Sequence, residues 1–422
     1  MSNDFNWFSS KQLGAPQMNG AAGSNGQMLQ ILDDCLINGF GQQLVSSVTK
    51  TATTVTFNYG LTHGYLDKQL LRVSGADDVL LNGNHRIVSK TTNSVTISVS
   101  DITLTTGAIS TRVAPLGWES VFGSTDPLKR AYRSFNEQGT RTVLYLDMSL
   151  PTGNGYNATS PPKRAMVTLC QNMTTLGTPI NDYTEIVNNK PAAANGSLFW
   201  NQKSLNSKTG AVTSASNSSW VIYGNKDYFI FFNGWQSHVS QDGSDYRSMY
   251  GFGDFASAAG DDDRYNCFLF ATNSPDDKAN IYSSNGGEVS TYTKTFDSAL
   301  SQDWYTNAGL IIKKTDGSGD VAWFVPSAHA YFSLSSSAFA ASGSGIIPYP
   351  NPSNNALIVK PIEVMQLNNT MRGIIPRLHY ICNYLVDKEL DMQVVGEYAL
   401  IKVASRSNSS VGNSYFSIYL GA

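Results

Sequence analysis

The sequence predicts a mainly β protein: a small N-terminal antiparallel β-barrel or sandwich, then a larger antiparallel β-sandwich domain, with few helices. Three observations carry this. Only 14% of the residues are charged, against about a quarter in an ordinary soluble domain, and Ser, Thr, Asn and Gly take their place. Tyr, Phe, Thr and Val are plentiful while Glu, Lys and Ala are not enriched, and β-branched and aromatic side chains suit a pleated surface. Short apolar runs alternate with Gly- and Asn-containing turns along the chain, the pattern of many short strands. A chain of 422 residues has room for about two or three cores. The expected division is 1–43 (arm and helix), 44–114 (small β domain) and 115–422 (large β-rich domain).

Residues 1–23 hold Gly14-Ala-Pro16, Asn19-Gly20 and Gly23 with almost no periodic pattern. A frayed terminus is one reading; an arm that orders on a neighbouring subunit is the other. Trp7 and Phe8 favour the arm, because a merely solvating tail has no use for apolar anchors. A helix is expected from Asn25 to Asn38. Ser24 or Asn25 can cap it, and Gly39 can end it in the left-handed conformation. Met28, Leu29, Ile31, Leu32, Cys35 and Leu36 form its apolar stripe.

Over 44–113 the period changes to two. Alternating runs begin at Val45, Thr53, Leu70, His85, Ser94 and Ala108, with turns at His63-Gly64, Ser74-Gly75-Ala76-Asp77, Asn82-Gly83-Asn84 and Thr91-Thr92-Asn93. Asn-Gly between β runs is a hairpin signal. Pro115-Leu-Gly-Trp118 marks a boundary. Residues 124–135 then predict a turn or two of helix, capped by Thr125 or Asp126 with Pro127 in the first turn.

Strands of the larger domain are expected at 140–148, 164–170, 220–223, 228–232, 266–271, 309–313, 321–325, 356–360, 397–403 and 415–420. Several are apolar at every position, as in the middle of a sandwich. The long polar stretches 200–218 and 276–303 are candidate subunit contacts, since loops of such length in a compact domain usually serve function or another chain. Trp200 and Trp304, in and beside them, join Trp7 and Phe8 as candidate interface side chains.

Net charge is −3 and no Lys/Arg run exists. Lys129-Arg130 with Arg133 is the nearest approach, and it reads as a solvated face. Sequence-independent nucleic-acid binding needs clustered cations, so no nucleic-acid partner is expected. No apolar run approaches 18 residues, so no membrane span is expected. The N-terminus has neither a basic nor an apolar leader region, and maturation in a cytosol is expected. Cys35, Cys170, Cys267 and Cys382 are widely spaced with apolar flanks, which predicts buried free thiols rather than disulfides or a metal site.

No motif carries chemistry. His63, His85, His238, His329 and His379 show no metal-ligand spacing and are read as structural. There is no nucleophile elbow, P-loop or dinucleotide fingerprint. Asp261-Asp262-Asp263, Asp242 with Asp245, and Asp316 with Asp320 lack the calcium-loop pattern; Asp316–Asp320 reads as a hairpin turn. Paired glycosidase carboxylates cannot be identified from spacing, because their separation is spatial. Tyr228-Phe-Ile-Phe-Phe-Asn-Gly-Trp235 and Asp303-Trp-Tyr305 offer a sugar-stacking platform as against core, with core favoured. Neither a cofactor nor catalysis is expected.

Several segments, in order, resemble one family: Gly14-Ala-Pro-Gln; Ile31-Leu-Asp-Asp-Cys-Leu-Ile-Asn-Gly-Phe-Gly; Thr62-His-Gly-Tyr; Leu81-Asn-Gly-Asn-His-Arg-Ile-Val-Ser; Ala114-Pro-Leu-Gly-Trp-Glu-Ser-Val-Phe; Lys129-Arg-Ala-Tyr-Arg-Ser; Tyr250-Gly-Phe-Gly-Asp-Phe; and Met371-Arg-Gly-Ile-Ile-Pro-Arg-Leu. Together they resemble virion structural proteins encoded among the tail genes of tailed bacteriophages, most strongly over 14–135. The resemblance implies an assembly subunit of the tail, baseplate or neck, made in the host cytoplasm, symmetric and homo-oligomeric, with other phage structural proteins as partners. On that reading, deleting residues 1–23 should leave a folded chain that no longer joins particles. The alternative of a different class is a receptor- or carbohydrate-binding adsorption protein of the virion, with host surface glycan as partner.

Overall fold

The computed structural model describes residues 5–18, 26–103, 105–123, 126–149, 164–182, 198–202, 217–234, 248–257, 267–272, 310–313, 319–326, 359–366, 371–381, 392–407 and 410–421. The first element is a strand, β1 (Asn6–Ser9), paired antiparallel with the strand Trp220–Gly224. Successive side chains of a strand enter opposite faces, so Trp7 joins one apolar cluster and Phe8 another. Asn6 locks the strand in place. Its Nδ2 donates to Ala114 O at 2.6 Å and its Oδ1 accepts from Leu70 N at 2.8 Å. Gln12 and Gln69 add a buried side-chain pair at 2.9 Å, and Gln69 Nε2 also donates to Trp7 O at 2.6 Å. This corrects the arm expectation over residues 5–18: the segment orders on its own chain.

The helix expected at 25–38 is α1 (Gln27–Asp33), continued by a wider turn over Asp34–Asn38. Met28, Leu29, Ile31, Leu32, Cys35 and Leu36 are all buried, as the apolar stripe requires. Gly39 ends the helix at φ 73°, and a Cβ there would lie 2.3 Å from Val113 O, so no other residue fits. The N-cap position is Gly26, which has no side-chain cap; Ser24 and Asn25 lie outside the described residues.

Seven strands follow: β2 (Phe40–Leu44), β3 (Ser47–Lys50), β4 (Thr54–Asn58), β5 (Leu70–Ala76), β6 (Gly83–Lys90), β7 (Ser94–Ser98) and β8 (Gly107–Val113). Their order is β2-β8-β5-β6-β7-β4-β3. The two ends of that order are one stretch of chain. Val45 N bonds Ile109 O on the β8 side, and Ser46 N bonds Asn58 O on the β4 side. The sheet therefore curls back on itself, which leaves few free edge groups. Val55, Phe57, Leu71, Val73, Ile87, Val95, Ile97 and Ile109 are buried inside. The Ser74–Asp77 turn expectation is modified, since Gly75 sits in a β-bulge within β5 where register shifts between Ser74 and Ala76.

His63 is buried beside this sheet, stacked on Tyr65 at 5.1 Å. Its Nε2 lies 2.9 Å from Thr91 O, and its Nδ1 accepts from Tyr65 N at 2.9 Å. Both ring nitrogens are satisfied by the neutral Nε2–H tautomer, and burial pushes the imidazole below its ordinary value. His85 and His379 are lowered by burial too. The unfolded chain then binds these protons more readily than the folded one. Stability is thus fully present above the unfolded value, about 6.5, and is lost as pH falls through it. The thermal midpoint should drop between about pH 7 and pH 5, and by less in His63→Gln. An identical drop in wild type and variant would remove His63 from the account.

The next sheet holds β9 (Trp118–Ser120), β10 (Lys129–Ser134), β11 (Val143–Asp147), β12 (Arg164–Thr175), β13 (Thr178–Asp182) and β14 (Leu198–Asn201). Its order is β13-β12-β11-β10-β9, with β14 on the free part of β12. The helix expected within 124–135 is corrected here. Lys129–Ser134 is a strand paired with β11, Lys129 opposite Asp147 and Arg133 opposite Val143. Ala131 and Tyr132 are both fully buried on opposite faces, so no period-two signal survives. Asp126 Oδ1 accepts from Leu128 N at 2.8 Å, closing a turn rather than capping a helix.

The remaining strands are β15 (Trp220–Gly224), β16 (Tyr228–Asn233), β17 (Ser248–Asp254), β18 (Ala256–Ser257), β19 (Cys267–Thr272), β20 (Leu310–Lys313), β21 (Gly319–Pro326), β22 (Val359–Gln366), β23 (Met371–Ile381), β24 (Met392–Val395), β25 (Tyr398–Ser407) and β26 (Ser410–Tyr419). With β1 at one end they run β1-β15-β16-β17-β19-β20-β21-β22-β23-β26-β25-β24, and β18 pairs β23. β15 and β16 are buried at every position. Ile222, Phe229 and Phe231 face the cluster shared with the barrel and α1, while Val221, Tyr223, Ile230 and Phe232 face the one shared with Ile375, Phe416 and Ile418. Two-sided burial is why these runs carry no alternation.

No strand was expected at 371–381, where Pro376 stands mid-strand. The pairing skips it: Pro361 faces His379 and Ile362 faces Ile375, so residues 376–378 have no partner on β22, while Leu378 pairs Ile418 of β26. Arg377 there has φ 61°, and its guanidinium sits 4.6 Å over the Phe5 ring and donates to Tyr419 O at 3.1 Å. The C-terminal hairpin is thereby tied to the N-terminal strand. Cys35, Cys170 and Cys267 are buried free thiols, as expected; Cys382 lies outside the described residues.

Candidate functional site

Among the described residues, two places concentrate polar chemistry: the junction between the sheets, and an open cavity next to it. The junction is built by α1, β9, β10 and the Ala114–Trp118 segment. Asp33 accepts from Arg130 Nε at 2.9 Å, and Tyr132 OH lies 2.8 Å from Asp33 Oδ1. The Asp33 and Arg130 side chains are only 19% and 11% exposed, and burial pushes the Tyr132 hydroxyl and the Asp34 carboxyl above their ordinary values. Leu116 N and Gly117 N donate to Cys35 O and Leu36 O at 2.9 and 3.0 Å, satisfying carbonyls that the helix end would leave unpaired. Trp118 Nε1 donates to Asn225 O at 2.8 Å, and Ser134 Oγ to Lys226 O at 2.6 Å. Gly64 meets the N-terminal segment so closely that a Cβ would lie 2.4 Å from Leu13 Cβ, at φ 77°. This is the chemistry of a joint, and nothing in it presents a reactive group to solvent.

The cavity has a volume of about 390 Å³, opens to solvent, and is lined by Arg133, Thr140, Arg141, Gln171, Asn172 and Ile180. β10 supplies Arg133, β12 the two amides and β13 the isoleucine. Thr140 is clamped by Asp254, through its N at 2.9 Å and its Oγ1 at 2.6 Å. That clamp holds Arg141, which has φ 50°, an uncommon and costly conformation for a side chain of its size. Arg133 Nε and Arg141 Nη2 each donate to the same Glu119 oxygen at 2.7 Å. Glu119 is not a lining residue. The group therefore holds two cations and one anion, with both cations facing the opening, 24% and 30% exposed.

Sequence reading took Arg133 for part of a solvated face and passed over Glu119, Arg141, Gln171 and Asn172. They come from four separate stretches, and no local spacing links them.

Of the candidate interface side chains, Trp7 is 2%, Phe8 0% and Trp200 0% exposed, inside the chain's own packing; Trp304 lies outside the described residues. Tyr228 to Phe232 are likewise buried, so that part of the aromatic platform is core, while Trp235 and 303–305 lie outside the described residues. So do 203–216 and 276–303, most of the two long loops, and the acids at 242, 245, 261–263 and 316. Lys313 pairs Gly319 across the hairpin expected around Asp316. Among the described residues, no group of three or more His, Cys, Asp or Glu is placed to hold a metal ion, and no helix is long and apolar enough to cross a membrane.

Fold and sites together define an antiparallel, multi-sheet β protein with a polar cavity. No family model and no curated protein sequence matches the chain. Among solved structures, an endosialidase of phage phi92 aligns over 90% of this chain and 52% of its own, at 9% identity and a TM-score of 0.16. The chain spans about half the length of that protein. A TM-score at this level carries no argument about shared architecture or activity.

Proposed function

We propose that the chain is a structural subunit of a tailed-phage virion, attached at the tail, baseplate or neck and acting by assembly rather than catalysis. The observation that carries this reading is what the family-like segments do in the fold. Asp33 and Gly39, Gly64, Leu116 to Trp118, Arg130, Tyr132 and Ser134, Asp254 and Arg377 each join one sheet, helix or terminus to another. A resemblance written in joint-forming residues is a resemblance of construction. Affinity would arise from many weak contacts multiplied by symmetry. The open cavity favours a second reading, an adsorption protein that binds a receptor or carbohydrate.

The test is cryo-electron microscopy of intact particles from the source phage, with protein mass spectrometry of the same particles. Ordered symmetric copies at the neck, tube or baseplate are the expected result. Copies confined to fibre tips would favour adsorption, and absence from the particle would end both readings.

A further inference from the structure

We propose that the cavity at the edge of β10, β12 and β13 is a binding site for the carboxylate of an acidic sugar, a hexuronic acid or its oligomer. Three features point there. Two guanidinium groups converge on the opening with the Glu119 carboxylate between them, while the second carboxylate nearby, Asp254, is held by Thr140 through two hydrogen bonds. Among the described residues, Glu119 is the only acceptor either guanidinium finds, which leaves donors of each planar fork for an incoming carboxylate. The rest of the lining mixes polar and apolar surface, as a sugar ring does: the side chains of Gln171 and Asn172, the latter accepting from Met173 N, beside one apolar side chain, Ile180, 39% exposed. A volume of about 390 Å³ holds one sugar residue with room for its glycosidic neighbours.

The site is preorganised. Glu119 Oε1 anchors each guanidinium by one hydrogen bond of 2.7 Å, and Asp254 fixes the Thr140 backbone that carries Arg141. Rigid donors cost less ordering entropy on binding than mobile ones. This inference deepens the adsorption reading, but it concerns the purified chain alone. It can fail while the virion location stands, or stand while that location fails.

The full chain is titrated with galacturonate, with galactose, and with the amide of N-acetylglutamate, by calorimetry or ligand-observed NMR. Galacturonate should bind saturably, about tenfold or more tighter than galactose, since the charge-assisted contacts are lost without the carboxylate. Binding should weaken as sodium chloride rises to about 0.5 M, an arm that needs no variant. Arg141→Gln and Arg133→Gln should each weaken galacturonate about tenfold while keeping the wild-type melting temperature within a few degrees. Equal binding of galacturonate and galactose, or no binding of either, would overturn the proposal. Tighter binding of the N-acetylglutamate amide would overturn it in favour of an acidic side chain from another protein.

Discussion

A chain lacking residues 1–18 is expected not to fold. The truncation removes Phe5, Trp7 and Phe8, which are 1%, 2% and 0% exposed. It also removes the four backbone pairings of β1 with β15. Deleting one buried aromatic side chain costs about 3–5 kcal/mol, and a domain's whole stability is about 5–15 kcal/mol. Losing three exceeds what most domains can absorb, and the bared edge of β15 adds an aggregation hazard. Near-ultraviolet circular dichroism and size-exclusion chromatography of the truncated chain would read this. A monomer with a native spectrum and an unchanged melting temperature would contradict it, and would restore the free-arm expectation that the buried strand displaces.

The second large effect is at Trp200. Its ring stacks on Tyr250 at 5.3 Å and 15° and meets Phe229 edge-on at 6.0 Å and 87°. Trp200→Ala should destabilise the chain by about 3–5 kcal/mol in chemical denaturation, as for other buried large-to-small changes. A tryptophan held for a partner would behave differently, with a stability change within about 0.5 kcal/mol of zero. That outcome would return Trp200 to the interface candidates. The measurement thus separates a packing role from a binding role at one residue.

The two expectations share a physical point about aromatic residues in loops and termini. From sequence, Trp7, Phe8 and Trp200 stand in a terminal segment and beside a long polar stretch, and look unpartnered. In the fold their partners are far along the chain: Trp7 faces Tyr223 across the ladder, and Trp200 faces Tyr250. Burial depends on which strands come to lie together, and nothing in a ten-residue window records that.

What the sequence determined by itself is the β class, a run of short antiparallel strands over 44–113 and several boundary residues. Alternation, Asn-Gly turns and β-branched runs are local signals, and the β3–β4, β5–β6 and β6–β7 pairings are local hairpins, whereas β2–β8, β5–β8 and β4–β7 join distant stretches. Gly39 was legible as a helix stop, although its backbone, at φ 73° and ψ 167°, is extended with positive φ rather than the left-handed helical conformation expected. The apolar runs at 220–223 and 228–232 were legible because strands buried on both faces lose their polar positions. Tertiary structure alone decided the rest. Whether Lys129–Ser134 forms helix or strand was settled by its pairing with Val143–Asp147, which outweighs a turn signal at Asp126-Pro127. Asn6, Gln12 and Gln69 became structural only through hydrogen bonds spanning about sixty residues or more. The cavity belongs wholly to this second kind. Glu119, Arg133, Arg141, Gln171 and Asn172 become neighbours because β9 to β13 pair side by side, and a site defined by distances in space has no spacing in sequence by which to be found.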